Sequence, residues 1–372
     1  MTNAAVYLDA ASAEPLHPAG RETLLAALEH GYADPRRLHG AGRNARLLLD
    51  NAREVVAAAL GVRRDEVVFT SSGTRAVQLG LLGLAAARVE RGRRIAHSAV
   101  EHQAVTDAAA WWGDPVELSA DAEGRVYDGD LAEASTMPGV VVAALQSANH
   151  EVGTLQPVGG FPLANGVPLF VDACASMGRL PLPQGWDALA GSARKWGGPS
   201  GVGVLLVRHR ARWSHPFPAA DPLARVDDGG VDVAATLAAA AALQAVVAER
   251  DELGTRQRAL IDLIRARVTA IPDVDVVGDP VERLPHLVTF SFLYVDGEAL
   301  VTELDRLGFG VASGSACALD TREPSRVLAA MGALTHGNVR LSLTRDTTRD
   351  DVERFLAVLP GVVASIRERA GL

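Results

Sequence analysis

Cysteine is scarce in this chain: its 372 residues contain two, Cys174 and Cys317. That excludes a disulfide framework and, without histidines at matching spacing, a structural zinc site, so at least one free thiol needs a role. Positive charge is also short. A formal net charge of −9 and a sequence pI near 5.6 argue against a nucleic-acid or membrane surface as the main partner, because such surfaces need concentrated Lys and Arg. The brief basic cluster of Arg91, Arg93 and Arg94 reads as a solvated helix end. The N-terminus lacks the basic start and long apolar run of a signal peptide, and no later stretch is expected to be long and apolar enough to span a bilayer, so the expected location is the cytoplasm. Nothing is polar enough to read as a disordered tail.

What is present is globular: 48% of the residues are hydrophobic, and 372 residues call for a large domain plus a smaller one. Short β-branched runs alternate with Ala/Leu-rich helical patterns through the first two thirds, the signature of βαβ units and a mostly parallel sheet. The expected strands are Val67–Thr70, Arg94–His97, Val116–Leu118, Val140–Leu145, Leu169–Asp172 and Val202–Val207. Arg43–Leu60 and Thr74–Arg91 read as helices closed by Gly61 and Gly92. Beyond about Val231 an Ala-rich helical region leads to strands at Val288–Phe292 and Val339–Thr344 and helices at Gly297–Leu307 and Thr348–Arg367, a second α+β unit that the lone strand Ala4–Leu8 could join. The expected division is 14–245 for the large domain and 1–13 with 246–372 for the small one.

Four segments carry reactive groups. In Ser192-Ala193-Arg194-Lys195-Trp196-Gly197-Gly198-Pro199-Ser200-Gly201 the lysine precedes the glycines, which rules out a nucleotide phosphate loop. A lysine in so tight a setting can be desolvated and made nucleophilic enough for a Schiff base, although a lone lysine beside glycines is more often an ordinary loop residue. Asp172 ends an apolar strand, where open α/β sheets bind ligands. A carboxylate there is either a helix cap or the partner of a buried cation such as a protonated pyridine nitrogen. Phe69-Thr70-Ser71-Ser72-Gly73-Thr74 is a strand, a small-residue turn and a helix start, a natural phosphate seat. Cys317 lies in the polar loop Ser313-Gly314-Ser315-Ala316-Cys317 ahead of a Pro-containing helix start, so its thiol is expected to be exposed, whereas Cys174 at an apolar strand exit is expected to be buried and inert.

These segments, together with Tyr7-Leu8-Asp9, Glu101-His102-Gln103-Ala104-Val105, Asn149-His150-Glu151-Val152-Gly153, Val171-Asp172-Ala173, Glu323-Pro324-Ser325 and Val339-Arg340-Leu341-Ser342-Leu343, occur in an order that resembles the pyridoxal phosphate (PLP)-dependent cysteine desulfurases. The likeness runs from about residue 6 to about residue 350 and is nearest to the long-loop group that supplies sulfur for iron–sulfur clusters and thio-modifications. It implies an α/β chain of PLP fold type I, with a mostly parallel mixed sheet between helices and a smaller α+β domain carrying the cysteine loop. It further implies that Lys195 binds the cofactor and shuttles the Cα proton, that Asp172 pairs with the pyridine nitrogen, and that His102 stacks on the ring as acid and base. Gly73, Thr74, Ser192 and Arg194 would hold the phosphate, with Thr236 reaching across from a second subunit of a homodimer. Asn149 and His150 would lie against cofactor and substrate, and Arg340 would clamp the carboxylate of L-cysteine. Cys317 would take the sulfur as a persulfide and pass it to an acceptor protein.

Three residues depart from the family pattern: His150 stands where asparagine is usual, Ala175 where glutamine is, and Arg194 where histidine is. Arg194 can still hold a phosphate; the other two alter hydrogen bonding to the cofactor's phenolic oxygen. The competing readings are a selenocysteine lyase or aminotransferase of the same fold, in which Cys317 is incidental, and a cofactor-free scaffold that binds sulfur-pathway proteins.

Overall fold

In the computed structural model, which describes residues 5–159, 163–218, 230–313 and 324–371, the first strand, Val6–Tyr7 (β1), leaves the N-terminus for a distant partner. The next seven form one sheet: Val67–Thr70 (β2), Arg94–Ser98 (β3), Val116–Leu118 (β4), Val140–Ala144 (β5), Leu169–Asp172 (β6), Ala188–Ser192 (β7) and Gly203–Val207 (β8), in the order β2-β8-β7-β6-β5-β3-β4. Strands β4, β3, β5, β6 and β7 pair in parallel, and β8 runs antiparallel to both β7 and β2. Every residue of β5, β6 and β7 is buried, as strands covered on both faces must be.

The period-two alternation sorts side chains between two helical layers. Val67, Phe69, Leu169 and Val171 join a core with helices Pro18–Leu28 (α1) and Gly40–Leu60 (α2), whereas Val68 and Phe170 face Gly73–Ala86 (α3) and Gln103–Trp112 (α4). Strand β7, Ala-Leu-Ala-Gly-Ser, has no β-branched residue and was not expected from periodicity. It is held by close packing: a Cβ on Gly191 would come within 2.3 Å of the Met177 sulfur. Gly61 closes α2 at φ 66° as expected, but α3 stops at Ala86 and a separate 3-10 turn, Val89–Arg91, fills the rest of the expected helix.

After the short helix Asp128–Ala134 (α5), a continuous helix of 36 residues, Val233–Val268 (α6), connects the two parts of the chain. The boundary expected at 245/246 falls inside it. Its first half packs in the core with α1 and α2, and Leu260, Ile261, Ile264 and Val268 enter a second core. Contrary to expectation, an 18-residue window of α6 reaches a mean hydropathy of 1.3 and is long and apolar enough to cross a membrane. Its alanines and leucines are instead spent on packing against α1 and α2, where Val233–Ala240 and Leu243 are buried.

The second core lies around a three-stranded antiparallel sheet of Val274–Val277 (β9), Leu287–Phe292 (β10) and Asn338–Ser342 (β12). It also takes in helices Gly297–Arg306 (α7) and Arg349–Arg369 (α9), and strand Phe309–Gly310 (β11). Strand β11 pairs in parallel with β1, so the N-terminus belongs spatially to the C-terminal third. A one-turn helix, Arg326–Ala330 (α8), is capped by Ser325, whose hydroxyl accepts from Leu328 N.

Candidate active site

Strands β6 and β7 end side by side, and their C-terminal ends carry the reactive groups. Asp172 closes β6; Ser192 closes β7 and runs into the 3-10 turn Ala193–Lys195. Past the lysine the backbone reverses at Gly197, φ 80°, where a Cβ would meet Pro15 O at 3.1 Å and His17 N at 3.2 Å, so only glycine fits this turn. Lys195 is the only lysine in the chain, every other basic side chain of full charge being arginine. That count was open to inspection in the sequence and singles the residue out more sharply than its glycine neighbours do.

The Lys195 Nζ donates to Ala11 O at 2.8 Å. Burial lowers its pKa to about 8, helped by the positive charges of Arg340 and Arg194 and opposed by Cys174 and Asp172. Asp172 Oδ1 accepts from the backbone N–H of Cys174 at 2.8 Å. Burial, and then the Asp172 carboxylate, push the Cys174 thiol well above its usual value, so it stays protonated.

Around these groups lies a small cavity. It is lined by Lys195, Asp172, His102, Gly73, Thr74, Ser192, Arg194 and His150, all expected, and by Gln146, Cys174 and Ala175. Gly73 and Thr74 are the first residues of α3, whose N-cap Ser72 accepts from Arg75 N at 3.0 Å. The helix start approaches the end of β7 so closely that a Cβ on Gly73 would lie 2.6 Å from the Ser192 Cβ. This brings a helix N-terminus, a serine hydroxyl and the Arg194 cation to one end of the cavity, a set suited to a phosphate dianion.

His102 caps α4 by accepting from Ala104 N through Nδ1 at 3.0 Å. Its ring meets that of His150 edge-to-face, centroids 4.9 Å apart at 65°. Burial is the main cause lowering both pKa values below 6.5; for His150 the charges of His102, Lys195 and Arg340 add to it. Both imidazoles are neutral at pH 7.

Two expected residues stand elsewhere. The Asn149 carboxamide is consumed by the turn it sits in, donating to Val100 O at 3.0 Å and accepting from Glu151 N at 2.8 Å and Val152 N at 2.9 Å. It shapes the loop that presents His150 and is not among the residues lining the cavity. Thr236 is 1% exposed in the first turn of α6, between core alanines, and its hydroxyl has no hydrogen-bond partner within the chain. The helix period that buries Val233 and Leu237 on the α1–α2 side carries Thr236 toward the same core, and it is not among the residues lining the cavity of its own chain.

At the other side of the site Arg340 projects from β12 and hydrogen-bonds to the N-terminal segment and, at His150, to the large unit. Its Nη2 donates to Asp9 Oδ1 at 2.9 Å and Ser12 Oγ at 2.7 Å, its Nη1 to His150 O at 3.1 Å, and its buried Nε has no partner within the chain. Its backbone N–H donates to Ala312 O at 2.7 Å. Cys317 itself lies outside the described residues; Ala312 and Ser325 are described on either side of it. Ser325 Oγ donates to Glu151 Oε2 at 2.6 Å in a buried contact, and Glu151 is the residue after His150. Both of these described positions are therefore fastened to the His150–Glu151 turn, directly or through Arg340.

Glu101 was quoted in a motif without a role. It is 3% exposed, accepts from Gln146 N at 2.7 Å through Oε1, and leaves Oε2 without a partner. Burial, with the Asp172 charge, raises its pKa to about 8, so it is a neutral acid at pH 7.

The residues present fit PLP. A cramped glycine cradle with Ser192 and Arg194 suits its phosphate, a buried carboxylate suits a pyridinium, and a single half-buried amine of lowered pKa suits its aldehyde.

Residues 6–355 match the Aminotransferase class-V family. An IscS-like cysteine desulfurase of Mycobacterium tuberculosis is 36% identical, the alignment covering 98% of each chain. A cysteine desulfurase IscS of Dictyoglomus turgidum is 33% identical over 97% of this chain and 95% of its own. Among solved structures, a NifS-like protein superposes with a TM-score of 0.87 at 24% identity, covering 97% of this chain and 100% of that one, which shows the fold. DndA from Streptomyces lividans superposes at 0.75 with 26% identity over 91% of this chain and 99% of its own.

Proposed function

The chain belongs to the class-V aminotransferase family, among its cysteine desulfurases, and from that premise we propose that it holds PLP on Lys195 and moves the sulfur of L-cysteine to Cys317, leaving L-alanine. The observation that carries this reading is the sole lysine, half-buried just past the end of β7 near Asp172 with a pKa of about 8. At pH 7 about a tenth of such amines are uncharged, against fewer than about one in a thousand at the ordinary lysine value.

Gly73, Thr74, Ser192 and Arg194 seat the phosphate, Asp172 pairs with the ring nitrogen, and His102 covers the ring. PLP, when bound, supplies an electron sink for the charge left at the substrate's Cα. Lys195 removes and returns the Cα proton. Arg340, held by Asp9 and Ser12, turns its remaining N–H groups to the substrate carboxylate, which a lysine's point charge would grip less well. The Cys317 thiolate attacks the substrate sulfur. A sulfur–sulfur bond forms as the carbon–sulfur bond breaks, the electron pair passes to carbon, and a proton completes the methyl group of alanine. The persulfide on Cys317 then goes to an acceptor protein that builds iron–sulfur clusters or thio-modified products.

The chain works as a cytoplasmic homodimer in this reading. In support, α1 and α2 and the loop between them expose Leu25, Leu28, Tyr32, Leu38 and Leu47, with Tyr32 79% and Leu38 82% exposed, a larger apolar display than isolated surface residues make. Its working units are 14–245 and 1–13 with 246–372, meeting across the site.

Sulfide and alanine measured from L-cysteine test the reading. The wild-type protein yields both in the presence of a thiol reductant, and Cys317→Ser stops sulfide release while leaving the coloured cofactor bound. Undiminished sulfide from Cys317→Ser would overturn it in favour of a lyase or aminotransferase in which that thiol is incidental.

A further inference from the structure

A second, smaller cavity shares Lys195, His150 and Ala175 with the first. The rest of its wall is mostly apolar, with Ala10, Ala11, Leu284 and Leu287, and is completed by Arg179 and His286. Arg179 is engaged, donating to Glu14 Oε2 at 2.7 Å and Lys195 O at 3.1 Å. The two imidazoles are not: His150 Nδ1 and His286 Nδ1 are both buried without a hydrogen-bond partner in the chain. Native interiors leave few polar atoms in that state, so two at one small cavity imply a partner that the chain does not supply.

His286 is 2% exposed and opens onto β10 next to Leu287. Burial, and then the charges of Arg179, Arg340 and Lys195, hold its pKa well below 6.5. It is therefore neutral and carries one N–H donor and one acceptor nitrogen. The cofactor's phenolic oxygen sits on the ring carbon next to the one bearing the aldehyde. A group joined to Lys195 brings that oxygen close to the lysine nitrogen, where Ala175 offers no donor.

We propose that His286, with His150 beside it, supplies the N–H that holds the phenolic oxygen of the Lys195-bound cofactor, through the space left by the short side chain of Ala175. His286 is thus a positioning residue on the C-terminal unit that reads whether the cofactor is seated. The proposal rests on the reading of Lys195 as the PLP lysine. It gives the His150 and Ala175 departures a common account, since the donor missing at 175 is replaced from the residue just before β10. The charged and titratable groups around the linkage are Asp172, Cys174, Arg194 and Arg340, and around His286 they are Arg179, Arg340, Lys195 and His150.

The test is a pH titration of the visible band of the intact PLP-loaded protein. Removing a donor leaves the phenolic oxygen to the linkage N–H alone, so that nitrogen keeps its proton to higher pH. His286→Leu should move the midpoint of the band upward by about half a pH unit or more, His286→Gln should move it less, and adding Ala175→Gln to His286→Leu should bring it back. An unchanged midpoint in His286→Leu with one PLP per chain overturns the proposal. If that variant does not fold, 15N spectra of the wild-type histidines decide: His286 nitrogen shifts that move when PLP is added support it, and shifts that stay overturn it. A wild-type protein that takes up no PLP would instead sink the reading of Lys195 itself.

Discussion

The two sides of the cavity are built on opposite principles. At the strand ends, Lys195 and Cys174 make few hydrogen bonds and have their protonation moved by burial; at the β12 side, Arg340 and Asp9 pair with each other and Arg340 is held by a dense set of hydrogen bonds. Desolvation penalises the charged form of either group, which for an amine is the protonated state and for a thiol the deprotonated one. The same environment therefore activates Lys195 as a nucleophile and silences Cys174 next to it. In the proposed function thiol chemistry is left to Cys317 and substrate positioning to the β12 side.

The sharpest way to break this contrast is Lys195→Ala. It removes the only lysine, and we expect turnover to fall by at least about a thousandfold, with borohydride reduction of the PLP-loaded wild type fixing a single pyridoxyl group on Lys195 and none on the variant's cavity. In the wild type, the rate of PLP uptake by the cofactor-free protein should climb with pH and level off near 8, because the uncharged amine is the reactive form. A plateau near 10.5 would show that burial does not tune this lysine.

On the positioning side, Arg340→Lys keeps the charge but loses the planar set of N–H groups shared among Asp9, Ser12 and His150. We expect KM for L-cysteine to rise by about ten- to a hundredfold, in line with about 1.4–2.7 kcal/mol of lost binding, with a smaller change in kcat. An equal fall in kcat at constant KM would mean that Arg340 acts on the chemistry and not on binding.

The smallest effect concerns Glu101, a strand-side group. Its folded pKa of about 8 exceeds the ordinary 4.5, so the stability it contributes is fully present below pH 4.5 and is lost as pH rises through about 8. Glu101→Gln should flatten the denaturation midpoint of the cofactor-free protein across that window without unfolding it. A slope that survives the substitution would assign the pH dependence to another group.

Much of this was legible before folding. The strands with β-branched residues, β2, β5 and β6, stand within a residue of where their composition put them, because β-branching and alternation act locally. Strand β7, which delivers Ser192 and Lys195, carried no such signal, since its small residues report the tightness of their neighbours and not a backbone preference. Motif order brought eight expected residues to one cavity. It erred at Asn149, whose polar head looks the same in a sequence whether it faces a ligand or its own loop; Thr236, expected to reach across from a second subunit, is buried in its own chain. His286 was invisible, because a histidine becomes notable only when what surrounds it is known.

The sequence by itself determined the inventory: one lysine, two cysteines, a carboxylate at a strand end and the order in which they come. Tertiary structure alone decided their states. Arg340 meets Asp9 across 331 residues of chain, and Lys195 loses its proton readily while Cys174 holds on to its own. Desolvation and charge pairing depend on which atoms crowd around a group in space, and chain order does not specify that until the sheets come together.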